Sequence, residues 1–261
     1  MSRTALQLPS RQVRPRTRGI TMVIDNGLPT GYFQDAVTSA ADLVDLVKFG
    51  WGTSVVTADL DRKIETLRAL GIGYFFGGTL FEKHILQNRF DDFREFCHGH
   101  SCSHVEVSNG TIDLSNQEKC AFIGKLADDF TVLSEVGFKD GERSERLSPS
   151  RWIDCIRADL EAGAELVIAE ARESGSSGIC RPDGRLRFGL IEDILDAGLP
   201  VDRLLFEAPT RTLQTYFVRR VGTEVNLGNI APAEVIALET LRLGLRSDTM
   251  LDIGVEAGPH A

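Results

Sequence analysis

The ionisable residues best placed to do chemistry sit directly behind short apolar runs. The stretch Glu165-Leu-Val-Ile-Ala-Glu-Ala-Arg-Glu-Ser-Gly175 shows the arrangement most clearly. Leu166 to Ala169 reads as a strand buried on both faces, as in a parallel sheet covered by helices. Glu170, Arg172 and Glu173 arrive as the run ends, and Gly175 opens a loop. Charges crowded at the end of a buried strand are costly to hold without partners or a ligand. In α/β folds that end is also where ligands bind. The plainer alternative is an ordinary strand-to-loop transition with solvated charges. Other runs end the same way and add Asp25, Lys48, Glu106, Glu135, Lys139, Glu207, Arg211 and Asn226. Gathered in one mouth, such groups make a site rather than a solvated rim.

Eight strand-like runs could position them: Ile20–Ile24, Leu46–Phe49, Gly73–Phe76, His104–Val107, Thr131–Leu133, Leu166–Ala169, Leu204–Phe206 and Glu224–Leu227. Each leads into a turn rich in Gly, Asn or Glu. The segments between them read as helices. Over Ala58–Leu70, Leu60, Ile64 and Leu67 share one stripe, with Asp61, Arg62 and Glu65 opposite. Ser150–Ala162 and Pro232–Leu245 repeat the pattern, with Pro232 at a first-turn position. Gly71, Gly163 and Gly198 fall where helices should stop. Eight alternating units in about 225 residues predict a single (β/α)8 TIM barrel over residues 19–250; a doubly wound open sheet is the alternative. In the barrel the polar groups behind the strands converge on one face.

The first 18 residues carry five arginines and no acid, and read as a basic, loosely ordered arm rather than a transit peptide. Residues 251–261 read as a tail. The chain's net charge of −9 argues against nucleic-acid binding and requires local cations for any anionic substrate. No apolar run reaches the roughly 18 residues of a membrane span, and no signal peptide is evident. Five cysteines, an odd number, fit a reducing cytoplasm better than a disulfide framework. Outer helices could assemble subunits, but nothing fixes a number.

The turns also carry a family pattern. Arg18-Gly-Ile-Thr-Met-Val-Ile-Asp25, Val47-Lys-Phe-Gly-Trp-Gly-Thr-Ser54, Gly77-Gly-Thr-Leu-Phe-Glu82, Ser134-Glu-Val-Gly137, Glu170-Ala-Arg-Glu-Ser-Gly175, Phe206-Glu-Ala-Pro209 and Asn226-Leu-Gly-Asn-Ile230 follow in order, with Glu239-Thr-Leu-Arg242 near the C-terminus. In these stretches the chain resembles the phosphosulfolactate synthase family. The resemblance implies a (β/α)8 barrel that adds sulfite to phosphoenolpyruvate with magnesium. A plant heat-stress branch resembles the same barrel without an established synthase role, so a non-catalytic barrel is a further alternative.

That chemistry assigns expected roles. Attack of sulfite at C3 makes an aci-carboxylate that needs a divalent cation and a proton donor at C2. Lys139 matches the family's general acid, a role that cationic neighbours and desolvation would favour by lowering its pKa. Glu106, Glu170 and Glu207 are candidate metal ligands, with Glu135 beside them as a catalytic or positioning group. Arg172, Arg211 and Lys48 would hold phosphate, carboxylate and incoming sulfite. Asp25, Asn226 and Gly228 complete the expected substrate contacts. The alternatives are structural ion pairs for the glutamates and an exposed loop position for Lys139.

Two positions depart from the family. Asn26 and Asn109 stand where it usually has Lys and Asp, so a lost ion pair, or a different nucleophile, is open. The tract Cys97-His-Gly-His-Ser-Cys-Ser-His104 precedes the fourth strand, on the far face, and reads as a surface histidine cluster rather than a metal site. Trp51 and Trp152 read as packing anchors.

Overall fold

Apolar runs of four to six residues become parallel strands because their side chains must be buried on both faces. In the computed structural model, which describes residues 5–138, 140, 144, 146–171, 177–181 and 183–254, they are β1 (Thr21–Asp25), β2 (Leu46–Phe49), β3 (Gly73–Phe76), β4 (His104–Val107), β5 (Thr131–Val136), β6 (Leu166–Ala169), β7 (Leu204–Glu207) and β8 (Asn226–Ile230). Hydrogen-bonded neighbours run β3-β2-β1-β8-β7-β6-β5-β4. β3 and β4 then lie against each other and bring the sheet round into a nearly closed barrel. The expected barrel is the observed one.

Ten α-helices among the described residues wrap it: α1 (Thr30–Ser39), α2 (Thr53–Val56), α3 (Leu60–Ala69), α4 (Gly78–Leu86), α5 (Phe90–Gly99), α6 (Asn116–Ala127), α7 (Pro149–Glu161), α8 (Phe188–Asp196), α9 (Arg211–Arg220) and α10 (Val235–Arg242). Local chemistry starts some of them. Ser115 and Glu118 form a reciprocal capping box on α6, and Ser148 accepts from the Arg151 amide just ahead of Pro149 in α7. None is long and apolar enough to cross a membrane.

Strand alternation sorts the side chains into two cores. Val23, Val47, Val105, Val132, Val167 and Phe206 point outward under the helices. Met22, Leu46, Phe75, Leu133, Leu166, Ile168 and Leu205 fill the barrel interior. One step of two residues beyond these inward positions lies the C-terminal mouth. There the inward residue is Lys48 after Leu46, Glu135 after Leu133, Glu170 after Ile168 and Glu207 after Leu205. The same period brings polar side chains into the barrel end without disturbing the apolar plug below.

The basic arm differs from the expectation of loose order. Arg11 pairs with Glu224 at 2.6 Å and Glu239 at 3.0 Å, and Arg16 with Asp45 at 3.1 Å. Arg14 donates to the carbonyls of Ala41, Leu70 and Gly71. Acids and carbonyls far along the chain supply the partners that the arm itself lacks. From Arg11 to Arg16 it is tied across the N-terminal end of the barrel.

Candidate active site

At the C-terminal mouth Lys48 reaches into a ring of glutamates. Its Nζ lies 3.0 Å from Glu106 Oε2, 3.1 Å from Glu207 Oε1 and 3.6 Å from Glu135 Oε2, with all four side chains nearly inaccessible to water. Burial alone would lower the lysine pKa, but Glu106, Glu207 and Glu135 together reverse this and raise it well above its ordinary value. Burial raises the Glu207 carboxyl, and Lys48 only partly opposes that. Lys48 is therefore a fixed ammonium, and the charge around it is set by the carboxyls.

Backbone amides hold the remaining oxygens. The Gly78 N–H at the start of α4 donates to Glu106 Oε1 at 2.7 Å, and the Ala171 N–H donates to Glu207 Oε2 at 2.9 Å. A Cβ at Gly78 would come within 2.5 Å of Ser108 Oγ and 2.7 Å of Glu106 Oε1, so only glycine lets that helix start approach so closely. Glu170 Oε2 and Glu135 Oε1 both converge on Gly110, 3.4 Å and 3.7 Å from where its Cβ would stand. Together with Ile24, Trp51, Gly77, Thr79, Thr111 and Asn229 these residues enclose about 180 Å³. That is room for roughly six water-sized groups, a small metabolite rather than a polymer.

The structure thus brings Lys48, Glu106, Glu135, Glu170 and Glu207 together. Lys139 and Arg172 lie outside the described residues. The other expected contacts are placed elsewhere. Asp25 points outward from β1: its Oδ2 meets Lys63 of α3 at 2.6 Å, and its Oδ1 accepts from the Gly27 and Leu28 amides. Asn226 stands at the start of β8, at the opposite end of the barrel. Its Oδ1 accepts from the Ile20 amide and its Nδ2 donates to Asp202 and Leu204 carbonyls. The predicted eighth strand began too early, which moved this residue to the wrong end. Gly228 is packing, since a Cβ there would lie 2.4 Å from Leu205 and 2.5 Å from Met22. Arg211 is exposed on the first turn of α9 and does not line the cavity.

Glu106 and Glu207 also fit their expected role as metal ligands poorly. Each has one oxygen on Lys48 and the other on a backbone amide. Among the described residues no three His, Cys, Asp or Glu side chains form a metal-holding group. Glu135 and Glu170, converging on Gly110, are the pair that could share a hard cation with water and a substrate.

Sequence reasoning missed several residues. Lys63 and Lys119 lie on the buried stripes of α3 and α6, where a lysine signals a buried partner. Lys119 pairs with Asp159 at 2.6 Å and donates to the main-chain carbonyl of Glu135, fixing the end of β5. Glu82 is buried and accepts from the Thr111 amide, which holds the loop after β4. Trp152 is the buried anchor expected of it. Trp51 is not: it is 38% exposed, lines the cavity and has a positive φ of 51°. Asn109 donates to the Leu114 carbonyl, whereas Asn26 lies over Gly50, so the two asparagines have separate partners.

A second cavity of about 650 Å³ lies at the N-terminal end, lined by Arg14, Arg16, Ile20, Leu46, His104 and Arg203 among others. None of the mouth glutamates reaches it.

The family model described as (2R)-phospho-3-sulfolactate synthase matches residues 9–248. A phosphosulfolactate synthase of Bacillus subtilis is 50% identical over 249 residues, covering 95% of this chain and 99% of that one. One from Methanothermobacter thermautotrophicus is 41% identical over 246 residues, covering 93% and 95%. Among solved structures, a 3-hexulose-6-phosphate synthase superposes with a TM-score of 0.55 at 15% identity over 86% of this chain and 99% of that one, a likeness of fold alone. By the extent of the family match and the identity of these relatives, the chain belongs to the phosphosulfolactate synthase family.

Proposed function

We propose that this protein joins sulfite to C3 of phosphoenolpyruvate, giving phosphosulfolactate, with magnesium as its cation. The observation that carries the reading is the charge in the mouth. Among the described residues, four buried glutamates line the cavity with Lys48, and the cavity is sized for a small metabolite. An anionic substrate enters such a place only with added positive charge. Lys139, Arg172 and a divalent cation are the sources that the family resemblance supplies.

In this reading the sulfur lone pair of sulfite forms the new bond to C3. The C2–C3 π pair moves toward C1 to give the aci-carboxylate, and C2 takes a proton from the Lys139 ammonium, which solvent restores. No bond to phosphorus breaks. Magnesium, when bound, supplies Lewis-acid charge for the substrate carboxylate, with Glu135 and Glu170 as the residues that would hold it. Lys48 keeps Glu106 and Glu207 in place. Glu207 in turn accepts from the amide of Ala171, the residue that precedes Arg172 in sequence.

Incubation with phosphoenolpyruvate, sulfite and magnesium, followed by phosphorus NMR and mass spectrometry, tests the reaction. One new phosphorus resonance and a product mass equal to both substrates are expected. Consumption of phosphoenolpyruvate with another mass would change the nucleophile, and no consumption would overturn the reading. Lys139→Ala should lose turnover by roughly 100- to 10,000-fold while unfolding at the wild-type temperature. Near-normal turnover would remove Lys139 as the proton donor.

A further inference from the structure

Strand β8 carries an irregularity that its neighbours lack. Against β1, Thr21 is opposite Leu227, but Val23 is opposite Ile230, so two steps on β1 span three on β8. The extra residue falls at Gly228-Asn229, and Asn229 takes a left-handed φ of 54°. Bulges between parallel strands are rare, and near active sites they re-aim a side chain. Simple alternation from the outward Leu227 would turn Asn229 outward as well. Instead it lines the mouth cavity with Lys48, Trp51 and Glu207, while Ile230 returns to the outer core.

The side chain so delivered is not satisfied. Asn229 is 5% exposed, and among the described residues its buried Oδ1 has no hydrogen-bond partner. A buried carboxamide without a partner is costly, and so is a left-handed backbone at a residue other than glycine. Glycine would remove both costs, yet the chain has asparagine at this cavity-lining position. Carboxamide oxygen and nitrogen are interchangeable by a half-turn of the group, so the same side chain can present its N–H donors to the cavity.

We infer that Asn229 is a substrate-contact residue, its carboxamide donating to an oxyanion oxygen of the phosphorylated substrate. This rests on the reading that the mouth takes phosphoenolpyruvate. The bulge is then the device that places a neutral donor among glutamates, where a second carboxylate-bound lysine would be neutralised and an acid would repel the ligand.

Calorimetric titration with phosphoenolpyruvate in magnesium separates the two claims. Failure of the wild-type protein to bind overturns the substrate reading and the inference with it. Given wild-type binding, Asn229→Gly keeps the left-handed backbone and removes only the carboxamide. It should weaken the dissociation constant by roughly 10- to 100-fold, the loss of one hydrogen bond to a charged group, with the unfolding temperature unchanged or raised. Asn229→Asp keeps shape and backbone tolerance but loses the donor and adds charge, so it should bind more weakly still. Wild-type affinity in either variant would overturn the inference. A purely structural role would instead lower the unfolding temperature of Asn229→Gly and spare binding.

Discussion

The two ends of the barrel are built from the same strands and differ in how their polar groups are answered. At the N-terminal end the cavity is larger, about 650 Å³ against about 180 Å³. Yet Arg14, Arg16 and Arg242 donate to carbonyls of the loops they cross, Arg16 also meets Asp45, and Asn226 uses both ends of its amide on backbone groups. Protein atoms meet most of that chemistry, although Arg242 Nε and Glu224 Oε2 have no hydrogen-bond partner among the described residues. At the C-terminal end glutamates outnumber the described cations around them, and Asn229 keeps an unanswered oxygen. Size therefore does not mark the site; the concentration of buried carboxylates around Lys48 does. Fully bonded polar clusters rigidify a core, while each buried polar group left without a partner requires a physical cause.

Removal of the central cation should break the contrast most severely. Lys48→Met leaves Glu106, Glu135 and Glu207 facing one another in a site closed to water. Taking one partner from a buried ion pair costs about 3–5 kcal/mol, and turnover should fall by roughly two to three orders of magnitude as the glutamates part. Urea unfolding and steady-state rates measure the two effects. Wild-type stability would mean that the carboxyls do not depend on the lysine.

The opposite end should respond in stability alone. Arg11→Ala removes contacts to Glu224, Glu239 and the carbonyls of Thr223 and Gly19. Hydrogen bonds to charged groups contribute about 1.5–3 kcal/mol each, and the half-exposed Glu224 reduces the sum, so a loss of about 2 kcal/mol is expected. Turnover well below the unfolding temperature should stay within about twofold of wild type. A lower rate in a fully folded variant would show that the arm reaches the mouth through the barrel, and the two ends could no longer be treated separately.

How far the sequence revealed this contrast depended on period. The bounds of β2, β3 and β6 were readable because glycine or charge flanks each run, and those of β4 because it lies between Ser103 and Ser108. The mouth glutamates were readable as acids behind apolar runs. β8 was not, because Gly228-Asn229 has the composition of a turn, and only pairing with β1 and β7 keeps it in the sheet. Asp25 was misread for want of the two-residue alternation that turns it toward Lys63, although a lysine between Leu60 and Ile64 on an apolar stripe was a visible sign of a buried acid. The arm was misread because its partners, Asp45, Glu224 and Glu239, are remote in sequence. Lys139 and Arg172 came from the family pattern, and they lie outside the described residues.

The smallest expected effect concerns the proton on Glu207. Burial holds its carboxyl above the ordinary value of 4.5, with Lys48 acting against that. A carboxyl raised in this way favours the folded state while protonated. Its contribution is complete below about 4.5 and fades as pH climbs through the folded value. Glu207→Gln fixes the neutral form and removes that fading. The stability of the variant relative to wild type should therefore rise with pH above about 4.5, by no more than roughly 1.4 kcal/mol per pH unit. Carboxyls remote from Lys48 cancel in the difference, so urea unfolding of both proteins at several pH values isolates the Lys48 cluster. A difference that stays flat above about 4.5 instead would mean that Lys48 holds Glu207 ionised throughout. The mouth would then be as fully answered by its own residues as the N-terminal end, and the contrast between the two would rest on Asn229 alone.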